Sequence, residues 1–214
     1  MPNPIVKLGH KLLSVDIAYD LYQSVVGGKS YRDKLVGAIA STSNVVLDLG
    51  CGTAASARQL NPEQKYFGID ISSKYISKAK KRNIPCLSKK FIVQDLMTFT
   101  WNDKFKEFTE GADSLTLALG VLHHLDDSQA RNLLTNLRDL IQPNSTIFTV
   151  DPTILKNSNR MAKWFATNDR GKFIRTPSEL SKVFKVVGLE ADIYPKTKQF
   201  RIPLDTVEIF ARVA

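Results

Sequence analysis

From residue 44 onward, short apolar segments alternate with amphipathic ones, and this alternation limits the folds that the chain can adopt. The apolar segments are rich in Val, Ile and Leu, which is typical of parallel strands buried on both faces. They cover residues 44–49, 65–70, 91–94, 113–119 and 145–151. Strand and helix patterns in alternation predict βαβ units, so we expect an α/β protein with a mostly parallel sheet.

Two capping boxes mark helix starts in the second half of the chain. Asp126 with Gln129 predicts a helix over 127–141, and Thr176 with Glu179 predicts a helix that ends near Gly188. In such a box the first side chain accepts a hydrogen bond from a backbone N–H three residues on, and the second side chain bonds back. Both helices therefore have sharply defined starts.

The two ends of the chain differ from its middle. Residues 189–195 and 204–213 are further strand candidates, predicted to pair as a hairpin and to bring the sheet to seven strands. The first 40 residues instead have apolar positions at helical spacing, with a second helix over 31–40. Because these helices precede the first strand, we expect them to cover the sheet or its crevice.

Bulk composition narrows the class of protein. With 214 residues, the chain is long enough for one well-packed domain. We found no apolar run long enough to cross a bilayer and no secretory signal, and only two cysteines, Cys51 and Cys86, in separate elements. A cytoplasmic protein with reduced thiols is the expectation.

A pair of glycines follows the first strand. Glycine lacks a Cβ, so Gly50 and Gly52 allow a tight turn with room for a nucleotide-like ligand. The run Gly50-Cys51-Gly52-Thr53-Ala54-Ala55 also fits the dinucleotide pattern G-x-G-x-x-A. The loop on its own therefore leaves more than one cofactor class open.

The segment Asp48-Leu49-Gly50-Cys51-Gly52-Thr53 resembles the first motif of the class I S-adenosylmethionine-dependent methyltransferases, in which an acidic residue lies two places before the first glycine. The resemblance implies that Asp48, Gly50, Cys51 and Gly52 bind S-adenosylmethionine. Charge favours the same cofactor, because the Asp48 carboxylate would attract the ammonium of the methionine moiety and repel a diphosphate.

Acidic residues also follow the next two strands. Asp70 lies 18 residues after Gly52, where a carboxylate is suited to accept hydrogen bonds from two ribose hydroxyls, and the resemblance implies that role. It also implies that Asp95 faces the adenine amino group. The further cofactor contacts that we infer are Ile71, Leu96 and Leu119.

The resemblance is clearest over residues 44–152. It implies a Rossmann-like class I methyltransferase fold with a seven-stranded, mostly parallel sheet, an antiparallel last strand and N-terminal covering helices. We expect a single domain over 1–214, made of a helical lid segment (1–41), a cofactor-binding half (42–152) and a substrate-side half (153–214).

Two adjacent histidines, His123 and His124, follow the fourth strand candidate, a region that ends in a similar Leu-His-His run in many small-molecule methyltransferases. A histidine titrates near neutral pH and is suited to deprotonate or orient the methyl acceptor, and we favour His123 for this role. The alternative is that His124 packs under the helix cap, bonded to the backbone, and that His123 only lines the pocket wall. A metal site with Asp126 and Asp127 is disfavoured, because adjacent side chains in one short turn diverge.

Two segments are candidates to choose the acceptor. The N-terminal helices resemble the covering helices of quinone-biosynthesis methyltransferases, and Tyr19 and Arg32 are candidates to reach the cofactor or the substrate. Residues 152–176 carry several aromatics and arginines, which suit a planar or anionic acceptor but equally suit a helix packed on the sheet.

We therefore expect methyl transfer to a small molecule through O, N or C. The net charge of +9 leaves an RNA or protein methyltransferase as the first alternative. Against nucleobase methylation, Ala118-Leu119-Gly120-Val121 lacks the Asn/Asp-Pro-Pro-aromatic run that holds a flipped base. A nicotinamide-dependent dehydrogenase is disfavoured by Asp48, and a non-catalytic cofactor-binding subunit stays open. The oligomeric state is not readable from the sequence.

Overall fold

A computed structural model describes residues 28–98, 108–109, 111–169 and 171–213 of the chain. Seven strands form one sheet in the order β3-β2-β1-β4-β5-β7-β6. They are β1 (Val45–Leu49), β2 (Lys65–Asp70), β3 (Ser88–Val93), β4 (Ser114–Leu119), β5 (Thr146–Pro152), β6 (Leu189–Lys196) and β7 (Thr206–Val213). The first five strands are parallel, and β7 runs antiparallel to both β5 and β6. The predicted mixed sheet with an antiparallel last strand is confirmed.

The strand order reverses at β1, whose neighbours are β2 on one side and β4 on the other. Connections therefore leave β1 and β4 in opposite directions and open a crevice at their carboxyl ends. Open α/β sheets bind ligands at such a switch point. The glycine loop, which follows β1 directly, lies at this place.

Five α-helices accompany the sheet in the described ranges. They are α1 (Gly28–Ala40), α2 (Ser73–Lys81), α3 (Asp127–Leu140), α4 (Arg160–Thr167) and α5 (Pro177–Val186). Both predicted capping boxes are present, at Asp126 for α3 and at Thr176 for α5. The cap residues decide where these helices start, because each satisfies backbone N–H groups that lack a partner in the first turn.

Each face of the sheet has its own hydrophobic core. One face packs α3 and α5 against β1, β5 and β7, with Leu134, Phe184 and Ile147 at its centre. The other face carries α1 and α2 over Tyr66 and Phe148. The sheet is thus buried on both sides, as the apolar strand sequences predicted.

Two local expectations differ from the structure. The predicted alternation of strands and helices places a helix between the first two strands, but the chain makes only a short 3-10 helix there, Ser56–Gln59, before Asn61-Pro62 leads into β2. The third strand starts at Ser88 rather than at residue 91. Its first residues include the exposed Lys89 and the partly buried Lys90, which an edge strand tolerates, so no apolar pattern marked them.

Candidate functional site

The glycine loop has a backbone that favours glycine. Gly50 has φ +69° and Gly52 has φ +54°, both in the left-handed region. A Cβ at Gly50 would lie 3.0 Å from Val121 Cγ2, so this glycine also allows the loop after β4 to approach. A Cβ at Gly52 would meet no atom of the described residues within 4 Å. Within the part of the chain that the structure describes, the glycine loop is therefore tight against the loop after β4 at Gly50 and open at Gly52.

Asp70 ties the glycine loop to the end of β2. Its Oδ2 accepts a hydrogen bond from the Gly52 N–H at 2.8 Å, and its Oδ1 accepts one from the Ser72 N–H at 2.8 Å. The side chain is buried, yet each carboxylate oxygen can accept more than one hydrogen bond. Asp70 thus shapes the loop and retains capacity to accept from a ligand hydroxyl.

Asp48 lies one strand away and is buried in the sheet. The Tyr66 hydroxyl donates to its Oδ2 at 2.6 Å. Burial, and then the charge of Asp48, raises the pKa of Tyr66 well above its usual value, so the phenol stays a donor. Burial, and then Asp48 and Asp70, likewise raises the pKa of Cys51. The Cys51 thiol is therefore neutral and contributes no nucleophile here.

The end of β3 completes this side of the crevice. The Gln94 N–H donates to the Asp70 carbonyl at 3.0 Å, which sets the chain after β3 beside the end of β2. Asp95 Oδ1 accepts from the Met97 N–H at 2.9 Å in a short turn. Leu96 is partly buried against the core. The carboxyl ends of β1, β2 and β3 thereby bring Asp48, Asp70 and Asp95 to one edge.

Two predicted apolar contacts differ in exposure. The side chain of Ile71, directly after Asp70, is 70% exposed. Leu119, the last residue of β4, is partly buried against the core that underlies α1 and α2. An exposed branched side chain beside the open loop is available to contact a ligand, whereas Leu119 lies largely within the protein.

The loop after β4 is held by the neighbouring strand. Gly120 has φ +72° and its N–H donates to the Val150 carbonyl at 2.7 Å. A 3-10 helix, Leu122–His124, follows and carries both histidines. The loop therefore lies between the glycine loop and the end of β5.

His123 is clamped between two carboxylates. Its Nδ1 lies 2.8 Å from Asp151 Oδ1, and its Nε2 lies 3.0 Å from Asp169 Oδ2. Burial lowers the pKa of His123, but hydrogen bonds and charge from Asp151 and Asp169 outweigh it and raise the pKa to about 9. At neutral pH the ring is therefore an imidazolium that donates from both nitrogens.

His124 has a different environment although it is the next residue. Its side chain is exposed, and its ring centroid lies 4.1 Å from that of His123. The His123 ring is therefore buried with a carboxylate at each nitrogen, whereas the His124 side chain is exposed.

Arg175 fastens the same loop from the other side. The buried guanidinium donates to the Leu122 carbonyl at 2.8 Å and to the Leu125 carbonyl at 2.6 Å, and it pairs with Asp127 at 2.8 Å. It is one of the arginines in residues 152–176 that suited an anionic acceptor and a packed helix equally. Its donors are instead engaged in holding the protein together.

A buried polar group also lies beneath α1. The Tyr31 hydroxyl donates to Glu208 of β7, and Lys196 Nζ lies 3.4 Å from the same carboxylate. Glu208 pairs in register with Val150 near the carboxyl end of β5. Burial, and then Glu208, raises the pKa of Tyr31. This contact fixes α1 over the β5–β7 side of the sheet.

The structure places Asp48, Asp70 and Asp95 at neighbouring strand ends, and it pairs some site residues with side chains that the sequence did not indicate. Tyr19 lies outside the described residues, as does the side chain of Arg32. The partners that sequence analysis did not pair with the site are Tyr66, Asp151 and Glu208. The position of Asp151 at a strand end, like that of Asp70, could have marked it as a candidate site residue. Nothing in the neighbouring sequence indicated that its partner is a histidine.

Within the described residues, no cluster of three or more His, Cys, Asp or Glu side chains is arranged to hold a metal ion. None of the helices described is both long and apolar enough to cross a membrane.

Comparison with protein families gives one match. Residues 46–144 match a family model described as a methyltransferase domain. Among proteins of curated function, none matches the sequence.

Solved structures share the fold at low sequence identity. The human N-acetylserotonin methyltransferase in complex with SAM has 20% identity and a TM-score of 0.69; the match covers 96% of this chain and 56% of the human chain. The DhpI–SAH complex has 18% identity and a TM-score of 0.66, with 96% and 93% covered. The plantazolicin methyltransferase BpumL, with SAH and a pentazolic analogue, has 16% identity and a TM-score of 0.65, with 98% and 96% covered. This chain thus spans little more than half of the human enzyme.

Proposed function

We propose that this chain, which contains a methyltransferase domain of class I fold, binds S-adenosylmethionine at the carboxyl ends of β1, β2 and β3 and methylates a small molecule. The observation that carries the proposal is the acidic edge around an open glycine loop, formed by Asp48, Asp70 and Asp95. The domain match over residues 46–144 and the neighbours named as complexes with SAM or SAH support the same donor.

The site fits this cofactor better than a dinucleotide. S-adenosylmethionine brings a cationic sulfonium and an ammonium, which an edge of carboxylates attracts, whereas a diphosphate would be repelled. The Tyr66 phenol donates to Asp48 and two backbone N–H groups donate to Asp70, and hydrogen bonds from neutral donors such as these do not cancel the charge of a carboxylate. Open space above Gly52 allows the ligand to approach the backbone.

In this proposal each of the three carboxylates interacts with a different part of the ligand. Asp70 accepts from the ribose hydroxyls, Asp95 faces the adenine amino group, and Asp48 acts from beneath the loop on the ammonium through its field. Ile71 and Leu96 contact the adenine ring. When bound, the cofactor supplies a methyl group on a sulfonium, which is electrophilic; the chain's task is to align the acceptor with it and exclude water.

The two histidines have separate parts in the proposed reaction. His123 donates from both ring nitrogens in this arrangement, and its raised pKa opposes a role as base at neutral pH. His124, exposed in the loop after β4, is the better placed of the pair to orient or deprotonate an acceptor. We therefore transfer the proposed base role from His123, which the sequence favoured, to His124.

The acceptor is proposed to be small because a fold-sharing protein of nearly equal length is named a plantazolicin methyltransferase, and its structure contains a pentazolic analogue. An RNA methyltransferase is the second candidate. Residues 71–94 contain seven Lys and Arg and no Asp or Glu, and this stretch forms α2 and the edge strand β3. Basic charge on an edge strand also prevents edge-to-edge pairing, so it does not by itself indicate a polyanion.

Calorimetric titration tests the donor. We expect S-adenosylhomocysteine to bind with a Kd in the range of about 1–100 μM and NAD to show no heat of binding under the same conditions. Tight NAD binding without a response to S-adenosylhomocysteine would overturn the proposal.

A second assay tests the histidines and the acceptor class together. The protein is incubated with S-adenosylmethionine and either a metabolite extract or purified RNA, and release of S-adenosylhomocysteine is measured. We expect release only with the metabolite extract and a drop of roughly 100-fold in His124→Ala, the usual size of a general-base effect. Normal rates in His124→Ala would remove the base role, and release with RNA alone would favour the second candidate.

A further inference from the structure

Asp169 and residues 171–176, which we term the clasped segment, lie against the loop after β4 at the ring of His123. The Phe173 N–H donates to the His123 carbonyl at 3.0 Å. A Cβ at Gly171 would lie 1.8 Å from His123 Cδ2, so the backbone of the segment rests directly on the imidazole. Asp169 then reaches Nε2 from the same side.

The opposite edge of the ring is held by the sheet. Asp151, the penultimate residue of β5, accepts from His123 Nδ1 at 2.8 Å and from the His123 backbone N–H at 3.1 Å. Asp151 is 2% exposed, so its charge needs a cationic partner nearby. An ionised carboxylate can only accept, hence both ring nitrogens must carry a proton for the two contacts to exist together.

We propose that Asp169 is a positioning residue: through the His123 imidazolium it holds the clasped segment on the loop after β4, and the hold is released when His123 loses its proton. Removal of the Nε2 proton leaves two lone pairs facing each other across the contact with Asp169. The contact to Asp151 survives through Nδ1–H, so release occurs on the side of the clasped segment alone. The clasped segment would lie beside the bound methyl acceptor, and this one statement rests on the proposed function.

The groups around His123 set the direction of this pH dependence. Asp151 faces the ring from β5, Asp169 faces it from the clasped segment, and the His124 ring lies beside it in the same turn. The two carboxylates stabilise the proton, in agreement with a His123 pKa raised to about 9. The hold is therefore present at neutral pH and weakens as the pH rises through about 9.

Arg175 limits how far the segment can move. Its guanidinium remains charged at any pH of interest and binds the Leu122 and Leu125 carbonyls and Asp127. The end of the segment is thus fastened independently of pH. Loss of the Asp169 contact leaves the hydrogen bond from the Phe173 N–H to the His123 carbonyl, which does not titrate, without the support of the ring contact. We therefore expect the peptide bond after Lys172 to open to a protease more often while α5 stays in place.

Trypsin cleavage after Lys172 measures this release. Cleavage rates are followed by mass spectrometry between pH 7 and pH 10 and divided by the rate on a small synthetic substrate at each pH. We expect slow cleavage at pH 7 and an increase of at least tenfold by pH 10, while far-UV circular dichroism shows a folded protein. Asp169→Asn should be cleaved at pH 7 nearly as fast as the wild type at pH 10, with partial rescue by Asp169→Glu.

Asp192→Asn is the matched control, because this carboxylate is exposed on β6 and pairs with Arg212 at 4.0 Å. It should leave the cleavage profile unchanged. Equal protection of wild type and Asp169→Asn at pH 7 would overturn the proposal, as would cleavage that does not depend on pH.

A titration of the wild type by NMR decides the matter even if a variant fails to fold. The Cε1–H signals of the three histidines, His10, His123 and His124, are assigned with single substitutions. We expect one of them to titrate near pH 9, and a midpoint for His123 below 7.5 would contradict the clasp. None of these measurements uses a cofactor or an acceptor. If the proteolysis and NMR results agree with the proposal but S-adenosylhomocysteine does not bind, only the proposed function is contradicted.

Discussion

The two sides of the sheet's carboxyl edge hold their carboxylates in different ways. On the β1–β2 side, Asp48 accepts from a phenol and Asp70 accepts from two backbone N–H groups. On the β4–β5 side, Asp151 and Asp169 share an imidazolium, and Asp127 pairs with Arg175. Neutral donors orient a carboxylate and leave its charge available to a cationic ligand. Cationic partners consume that charge and join chain segments, so the first side is suited to binding and the second to holding loops.

The largest effect, a loss of cofactor affinity, is expected from removing the Asp70 carboxylate on the β1–β2 side. Asp70→Ala should lower the affinity for S-adenosylhomocysteine by at least about 100-fold, because it removes the carboxylate proposed to accept from the ribose hydroxyls and leaves the Gly52 N–H without its acceptor. Calorimetric titration measures the change. Asp192→Ala, which removes an exposed carboxylate on β6, is the control and should bind normally. Affinity within threefold of the wild type in Asp70→Ala would remove Asp70 from the binding site.

On the second side the expected loss is in stability. Arg175→Met should reduce the free energy of unfolding by about 3 kcal/mol, since two buried carbonyls lose their charged donor. Urea unfolding measures this loss. Arg212→Met is the matched control, because Arg212 is exposed and pairs with the exposed Glu190, a type of contact worth about 0–1 kcal/mol. Equal effects of the two substitutions would show that the buried guanidinium does not fasten the loop.

The smallest expected effect distinguishes the imidazolium from the guanidinium. The pKa of His123 is about 9 in the folded chain and about 6.5 when unfolded, so its stabilising contribution is full below pH ~6.5 and is lost as the pH rises through about 9. We expect the wild type to lose on the order of 2 kcal/mol between pH 6.5 and pH 9.5 relative to His123→Gln. Urea unfolding of both proteins over this range measures the difference. If the free energies of unfolding of the two proteins change in parallel with pH, His123 does not bind its proton more tightly in the folded chain than in the unfolded chain.

Much of the fold was predictable because its signals are local. Strand β2 was predicted with its observed bounds, and both capping boxes form as expected. The two exceptions each concern a single element. The 3-10 helix Ser56–Gln59 stands where a longer helix was expected, and β3 extends into two lysines because it lies at the sheet edge. Edge position is a property of the assembled sheet, and a segment's own hydrophobicity does not report it.

The candidate site was predictable in part for a related reason. Asp48, Asp70 and Asp95 were identified because parallel strands end at the same edge, so order along the chain implies proximity. The partners of His123 were not identified, because Asp151 lies 28 residues away and Asp169 lies in a segment without a regular pattern. The role first given to His123 depended on an ordinary histidine pKa, which its surroundings change.

The sequence alone determined the α/β architecture, the position of the glycine loop and the acidic residues at successive strand ends, since these depend on periodicity, backbone freedom and strand order. Only the tertiary structure decided which carboxylates accept from neutral donors and which pair with cationic side chains that join chain segments. Protonation and pairing depend on distances between residues far apart in sequence and on how deeply they are buried. Two adjacent histidines in one turn therefore have different environments, one exposed and one clamped between carboxylates from β5 and the clasped segment.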